Sequence, residues 1–159
     1  MPKKKKQPPK YLYHHTSSVH LEIIKEFGYL KTTASNLFPP DQASRRTRYL
    51  FDKNGDAYGE EFFDKHSDYK RVVWLTTQEI PIAHDLGLEG LIPGIDKTEV
   101  TIVFRYQPRF LPWKEFAKAN NIDEYWQHTL EEGRKPNTWY VCQTPIKLSE
   151  AVEIRTRFN

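Results

Sequence analysis

The sequence predicts an α+β domain with short helices, in which strands prevail toward the second half. Three observations point there. Apolar residues at 19, 23, 24 and 27 recur with helical period between a serine pair and Gly28. The stretch 98–106 (Thr-Glu-Val-Thr-Ile-Val-Phe-Arg-Tyr) alternates as a strand does. Four Trp, nine Tyr and nine Phe residues supply a core, where a disordered chain is poor in aromatics.

The elements follow in order. Residues 11–15 (Tyr-Leu-Tyr-His-His) form a first strand. Ser17 or Ser18 caps a helix over 19–27, whose apolar stripe is Val19, Ile23, Ile24 and Phe27 and whose stop is Gly28. Tyr29 to Lys31 begin an extended piece, and 32–48 form a loop. Tyr49 to Phe51 with the Asn54-Gly55 pair predict a hairpin, and 60–66 a short helix. Residues 71–76 (Arg-Val-Val-Trp-Leu-Thr) form a strand, and a loop containing Pro81 and Pro93 leads to the strand at 98–106. Pro112 opens one short helix near Trp113, and 123–132 form another near Trp126. Residues 138–142 and 152–158 close the fold as strands.

The 159 residues suit one domain. A single cysteine excludes a disulfide framework and a cysteine-based zinc cluster. With no apolar run near ~20 residues and no apolar leader, the chain is predicted to be soluble, cytoplasmic and without a membrane partner. The formal charge is +3, and five lysines (Lys3, Lys4, Lys5, Lys6 and Lys10) lie in the first ten residues with no acid, which leaves −2 for 11–159. The lysines and three prolines predict a disordered basic tail over 1–10 on a single domain over 11–159. The tail is a candidate electrostatic hook for DNA or RNA, shared with Arg45, Arg46 and Arg48, or a solubilising leader.

Several tempting patterns fail on chemistry. His14 and His15 are adjacent on a strand and face opposite sides, so no metal site is assigned to them with His20. Residues 52–56 (Asp-Lys-Asn-Gly-Asp) resemble the start of a calcium loop, but its sixth and twelfth places hold Ala57 and Phe63. The lone Cys142 reads as a core residue. No Gly-rich phosphate loop of the P-loop or Rossmann kind is present.

The segment Leu12-Tyr13-His14-His15-Thr16-Ser17, then the helix, then Phe27-Gly28-Tyr29-Leu30, resembles the opening of the ADP-ribosyltransferase fold. Branches of that superfamily, including diphtheria-toxin-like, polymerase-type and DNA-modifying ones, begin with Leu-Tyr-His-x-Thr-Ser, a helix with Leu-x-x-Ile, and Gly-x-Leu. The resemblance implies split central antiparallel sheets and NAD as substrate. It makes His14 the group that hydrogen-bonds the adenosine ribose, with Tyr13, Thr16 and Ser17 around it. Residues 72–77 are similar to the family strand that ends in small hydroxyl residues beside the nicotinamide, here Thr76 and Thr77. Residues 139–146, Leu148 and 152–154 are similar to the closing strands.

The physical chemistry agrees with such a pocket. Imidazole and hydroxyl groups both donate and accept, as ribose recognition needs. Cleavage of the NAD glycoside builds positive charge, which a carboxylate stabilises. The family's catalytic Glu, however, falls here on Thr138 or Trp139. The nearby acids are Glu132, Glu150 and Glu153, with Gln143 as a polar surrogate: either the alignment slips, or a Glu from another element serves, or transferase chemistry is lost and a nucleotide pocket remains. The family's second tyrosine is open among Tyr49, Tyr58 and Tyr69. The functional expectation is NAD-dependent transfer of ADP-ribose to a macromolecule, including nucleic acid. The alternative is a non-catalytic module binding a nucleotide, nucleic acid or partner protein, such as a phage or plasmid accessory protein.

Overall fold

A computed structural model describes residues 7–33, 71–86, 88 and 95–157, together with the backbone of 47–51 and 57–62. The elements are β1 (Tyr11–Thr16), α1 (Ser18–Phe27), β2 (Tyr29–Leu30), β3 (Thr47–Phe51), β4 (Ala57–Phe62), β5 (Val73–Thr76), α2 (Ala83–Leu86), β6 (Val100–Arg105), β7 (Phe110–Pro112), α3 (Trp113–Ala119), α4 (Glu124–Glu131), β8 (Trp139–Cys142), β9 (Ile146–Lys147) and β10 (Ala151–Thr156). The class is α+β, as expected.

β1 lies inside a six-stranded sheet of order β10-β6-β1-β5-β8-β7. Every neighbouring pair in it is antiparallel. Two small ladders stand apart, β2 with β9 and β3 with β4. Alternation along the strands makes two cores. On one face Leu12, Leu75, Ile102 and Phe104 pack under Leu21 and Ile24 of α1. On the other, Val141 and Trp139 pack against Trp113, Phe116 and Ala117 of α3. Trp113 and Phe116 are essentially fully buried. Such side chains contribute roughly 1.5–3 kcal/mol each, enough to hold a seven-residue helix that would not persist alone.

Local signals set the boundaries well. The Ser17 side chain accepts from the backbone N–H of His20, and Gly28 ends α1 at φ 80°. Asp123 caps α4 in the same way through Trp126 N–H. Two expectations change. The core-facing row of α1 is Leu21 with Ile24, while Val19 is 46% exposed; the docking angle of the helix on the sheet, not its period, selects that row. Residues 60–62, expected to be helical, extend β4, which pairs with β3 from Thr47↔Phe62 to Phe51↔Ala57. Ladder pairing overrides a weak local helix preference there. The Asn54-Gly55 turn and the calcium-loop-like segment lie outside the described residues.

The predicted tail reaches the fold at its last residue. The Lys10 carbonyl accepts from Tyr106 N–H at 3.0 Å, extending the β1–β6 ladder. No helix among the described residues is long and apolar enough to cross a membrane.

Candidate functional site

The sheet opens between β1 and β5. β1 pairs with β6 along its whole length, from Tyr11↔Arg105 to Thr16↔Val100, but meets β5 only at Tyr13↔Thr76. Beyond that pair the strands part. Val72 instead bridges Thr33, the chain that follows β2. In continued register Trp74 would face His15, and its carbonyl would accept from β1 backbone. It accepts instead from the ring of His14, at 2.7 Å from Nδ1.

A carbonyl only accepts, so His14 Nδ1 carries the proton. Burial holds the His14 pKa down at about 4, outweighing that hydrogen bond, with lesser contributions from His15, Lys97 and His20. The ring is therefore neutral near pH 7, and Nε2 presents a lone pair. Among the described residues no hydrogen bond reaches Nε2. The half-buried His14 thus stands at the parting of two strands as a fixed acceptor.

His15 has the opposite character. Its Nε2–H donates to the Gln78 carbonyl at 2.8 Å, and its Nδ1 pairs with Thr101 Oγ1 at 2.8 Å. Both nitrogens are used, and the ring ties β1 to β6 and to the segment after β5.

Lys97, which no sequence pattern marks, sits in the turn before β6, where Glu99 accepts from Ser18 N–H at 2.9 Å at the start of α1. Its charge is a minor contribution that lowers the pKa of His14 and His20. The turn presenting it is braced on either side. Asp96 Oδ1 accepts from Thr98 N–H at 2.8 Å, and Arg157 bonds Asp96 at 2.9 Å and Thr98 at 3.0 Å. Burial lowers the pKa of His20, and the nearby Lys97 ammonium adds to the effect.

The other predicted pocket residues disperse. Tyr13 lies on the face opposite His14, stacked on His15 at 6.4 Å with the Arg155 guanidinium 5.9 Å above its ring. Ser17 is buried and engaged as the cap of α1, 2.8 Å from His20 Nδ1. Thr16 is buried at the end of β1. The Thr76 hydroxyl donates to Thr138 at 3.0 Å and accepts from Gln78 N–H, and Thr77 N–H donates to the Thr138 carbonyl at 2.9 Å.

Thr138, where the resemblance wants a Glu, is a neutral hydroxyl bonded to Thr76 and to the Lys135 carbonyl. Glu150 is clipped to Arg109 at 2.9 Å and to Gln107 at 3.1 Å, just before β10. Glu153 pairs with Arg155 at 3.1 Å on β10. β10 is three places from β5 in the sheet, with β6 and β1 between, and Glu153 shares its face with Tyr13, not His14. Gln143 is exposed in the turn after Cys142, whose thiol is buried and donates to the Thr144 carbonyl at 3.3 Å. One carboxylate held against the segment that precedes β8 is Asp85 of α2. Its side chain is only 14% exposed, accepts from Gln78 Nε2 at 3.4 Å and lies 3.5 Å from Lys135 Nζ. The Asp85 carbonyl also accepts from Lys135 N–H.

Lys3–Lys6, Arg45, Arg46 and Tyr69 lie outside the described residues, as do the side chains of Arg48, Tyr49 and Tyr58. Compared with family models, with curated proteins and with solved structures, the chain matches none.

Proposed function

We propose that the domain binds NAD or a related nucleotide in the opening between β1 and β5 and transfers ADP-ribose from it to a macromolecule. The observation that carries this reading is His14: a neutral imidazole, its Nδ1–H committed to the Trp74 carbonyl, with Nε2 left to accept. A ribose hydroxyl is a donor that fits it. Lys97, in the turn before β6, supplies the positive charge that a pyrophosphate seeks. The lysine tail and the arginines of 45–48 suit a nucleic-acid acceptor.

When the nicotinamide glycoside breaks, positive charge grows on the ribose, and a fixed carboxylate lowers the barrier. Thr138 cannot do this. This reading assigns that role to Asp85, sheltered beside Gln78 and Lys135, in place of the expected Glu. The neutral Thr76–Thr138 pair favours a second reading, a nucleotide-binding module without turnover.

NAD titration with a thermal-shift readout tests binding. A ligand at about 100 times its Kd stabilises by ~2.7 kcal/mol, a shift of roughly 5–10 °C for a domain of this size. The shift is expected for wild type and lost in His14→Ala; no shift in wild type sinks both readings. Nicotinamide release then separates them. Turnover that falls at least ~10-fold in Asp85→Asn, with NAD binding kept, supports transfer, and binding without turnover selects the module.

A further inference from the structure

β10 forms one edge of the six-stranded sheet, and β7 the other. The β7 edge is three residues long and ends in Pro112, which blunts it against pairing. The β10 edge is six residues long, with neither Pro nor Lys; its register on β6 shifts between Ala151 and Glu153, so the regular stretch runs from Glu153 to Thr156. Its inner side is taken by β6. The ladder's phase is set by Arg157 N–H donating to the Glu99 carbonyl at 2.8 Å. Arg157, Arg155 and Glu153 therefore turn their backbone groups to β6, and Ile154 and Thr156 turn theirs outward. No hydrogen bond meets that outer side among the described residues. Val152 and Ile154 are 46% and 38% exposed. Glu153 and Arg155 project from the opposite face.

The side chains of this edge complement themselves when reversed. We propose that β10 pairs antiparallel with β10 of a second copy of the chain, about a two-fold axis at Ile154, to make one continuous sheet. Ile154 then faces its own equivalent, and the two exchange the N–H and C=O groups that point outward in the single chain. Glu153 and Arg155, which within the chain pair with each other at 3.1 Å and, for Arg155, with Glu79, then also stand opposite Arg155 of the partner subunit and Glu153 of the partner subunit. On the other face Ile154 meets its counterpart, removing apolar surface from water, and residue 152 stands opposite residue 156. A shift of two residues in either direction sets Glu153 against Glu153 or Arg155 against Arg155, so charge selects the register.

Sedimentation of the full chain tests this. A mass twice 18.9 kDa is expected at roughly 100 μM, where even a weak complex is populated. Glu153→Arg sets like charges across the axis and weakens the dimer by about 10-fold or more. Adding Arg155→Glu restores the complementarity and the dimer. Ile154→Lys, at an exposed position, yields monomer with an unchanged circular dichroism spectrum. A wild-type monomer at that concentration overturns the proposal. So does a dimer that neither Glu153→Arg nor Ile154→Lys weakens, or a double charge swap that fails to restore it.

Discussion

His14 is neutral because the protein gives its ring a desolvated place and a carbonyl, and among the described residues no carboxylate partner to stabilise the cation. The sign of the pH dependence follows. The unfolded chain binds a proton on this histidine near pH 6.5, the folded chain only near pH 4. The stability associated with the neutral ring is thus fully present above about pH 6.5 and is lost as pH falls toward 4, by at most ~3 kcal/mol. His15 and His20, both lowered mainly by burial, act in the same direction. Urea unfolding across pH 7 to 4 should show this loss, with a smaller slope in His14→Gln. The same neutrality predicts a functional contrast: nucleotide affinity should stay level between pH 8 and 5.5, whereas a solvent-exposed histidine would charge within that range. The candidate residue was legible from Leu-Tyr-His-x-Thr-Ser. Its partners were not, because a backbone carbonyl sixty residues away and a loop lysine carry no local pattern.

At the scale of elements, α1 matters most, since it follows the strand that carries His14. Its two ends are fixed by local chemistry. Removing the Ser17 hydroxyl takes away the acceptor for His20 N–H and leaves a cap site that is 1% exposed. Ser17→Ala should cost about 1 kcal/mol, at the middle of the range for such caps. Gly28 holds φ 80° with nothing within 4 Å of where a Cβ would stand. Gly28→Ala should therefore cost only the left-handed backbone strain, also about 1 kcal/mol. Both are read as a lower urea midpoint with an unchanged slope. These ends were legible because a cap is a contact between residues three or four apart. The buried row of α1 was not, since Ile23 and Leu21 are equally apolar and only the sheet beneath chooses between them. The same reason explains 60–62, whose extended state depends on β3 as its partner. The widening between β1 and β5 is likewise a property of two strands sixty residues apart.

For the molecule as a whole, the charge divides where the fold begins. The five lysines of the first ten residues stand against a body of −2, so a polyanion would be drawn to one end of the chain rather than to the domain at large. Lys10 belongs structurally to the domain, because its carbonyl extends the β1–β6 ladder. A truncation that tests the tail should accordingly remove residues 1–9 and keep Lys10. That cut takes away Lys3, Lys4, Lys5 and Lys6 and leaves β1 intact. Each lysine that neutralises a phosphate of duplex DNA contributes ~0.9 to the slope of log K against log salt, so the slope should fall by up to ~3.6. Affinity at low salt should drop with it, while the NAD-dependent thermal shift should stay, since His14 and Lys97 lie in the retained domain. If the slope is unchanged on truncation, phosphate contact must come from the domain itself, with Arg45, Arg46 and Arg48 as the next residues to replace. If the thermal shift disappears with the tail, the tail reaches the nucleotide opening, and the division between hook and pocket fails.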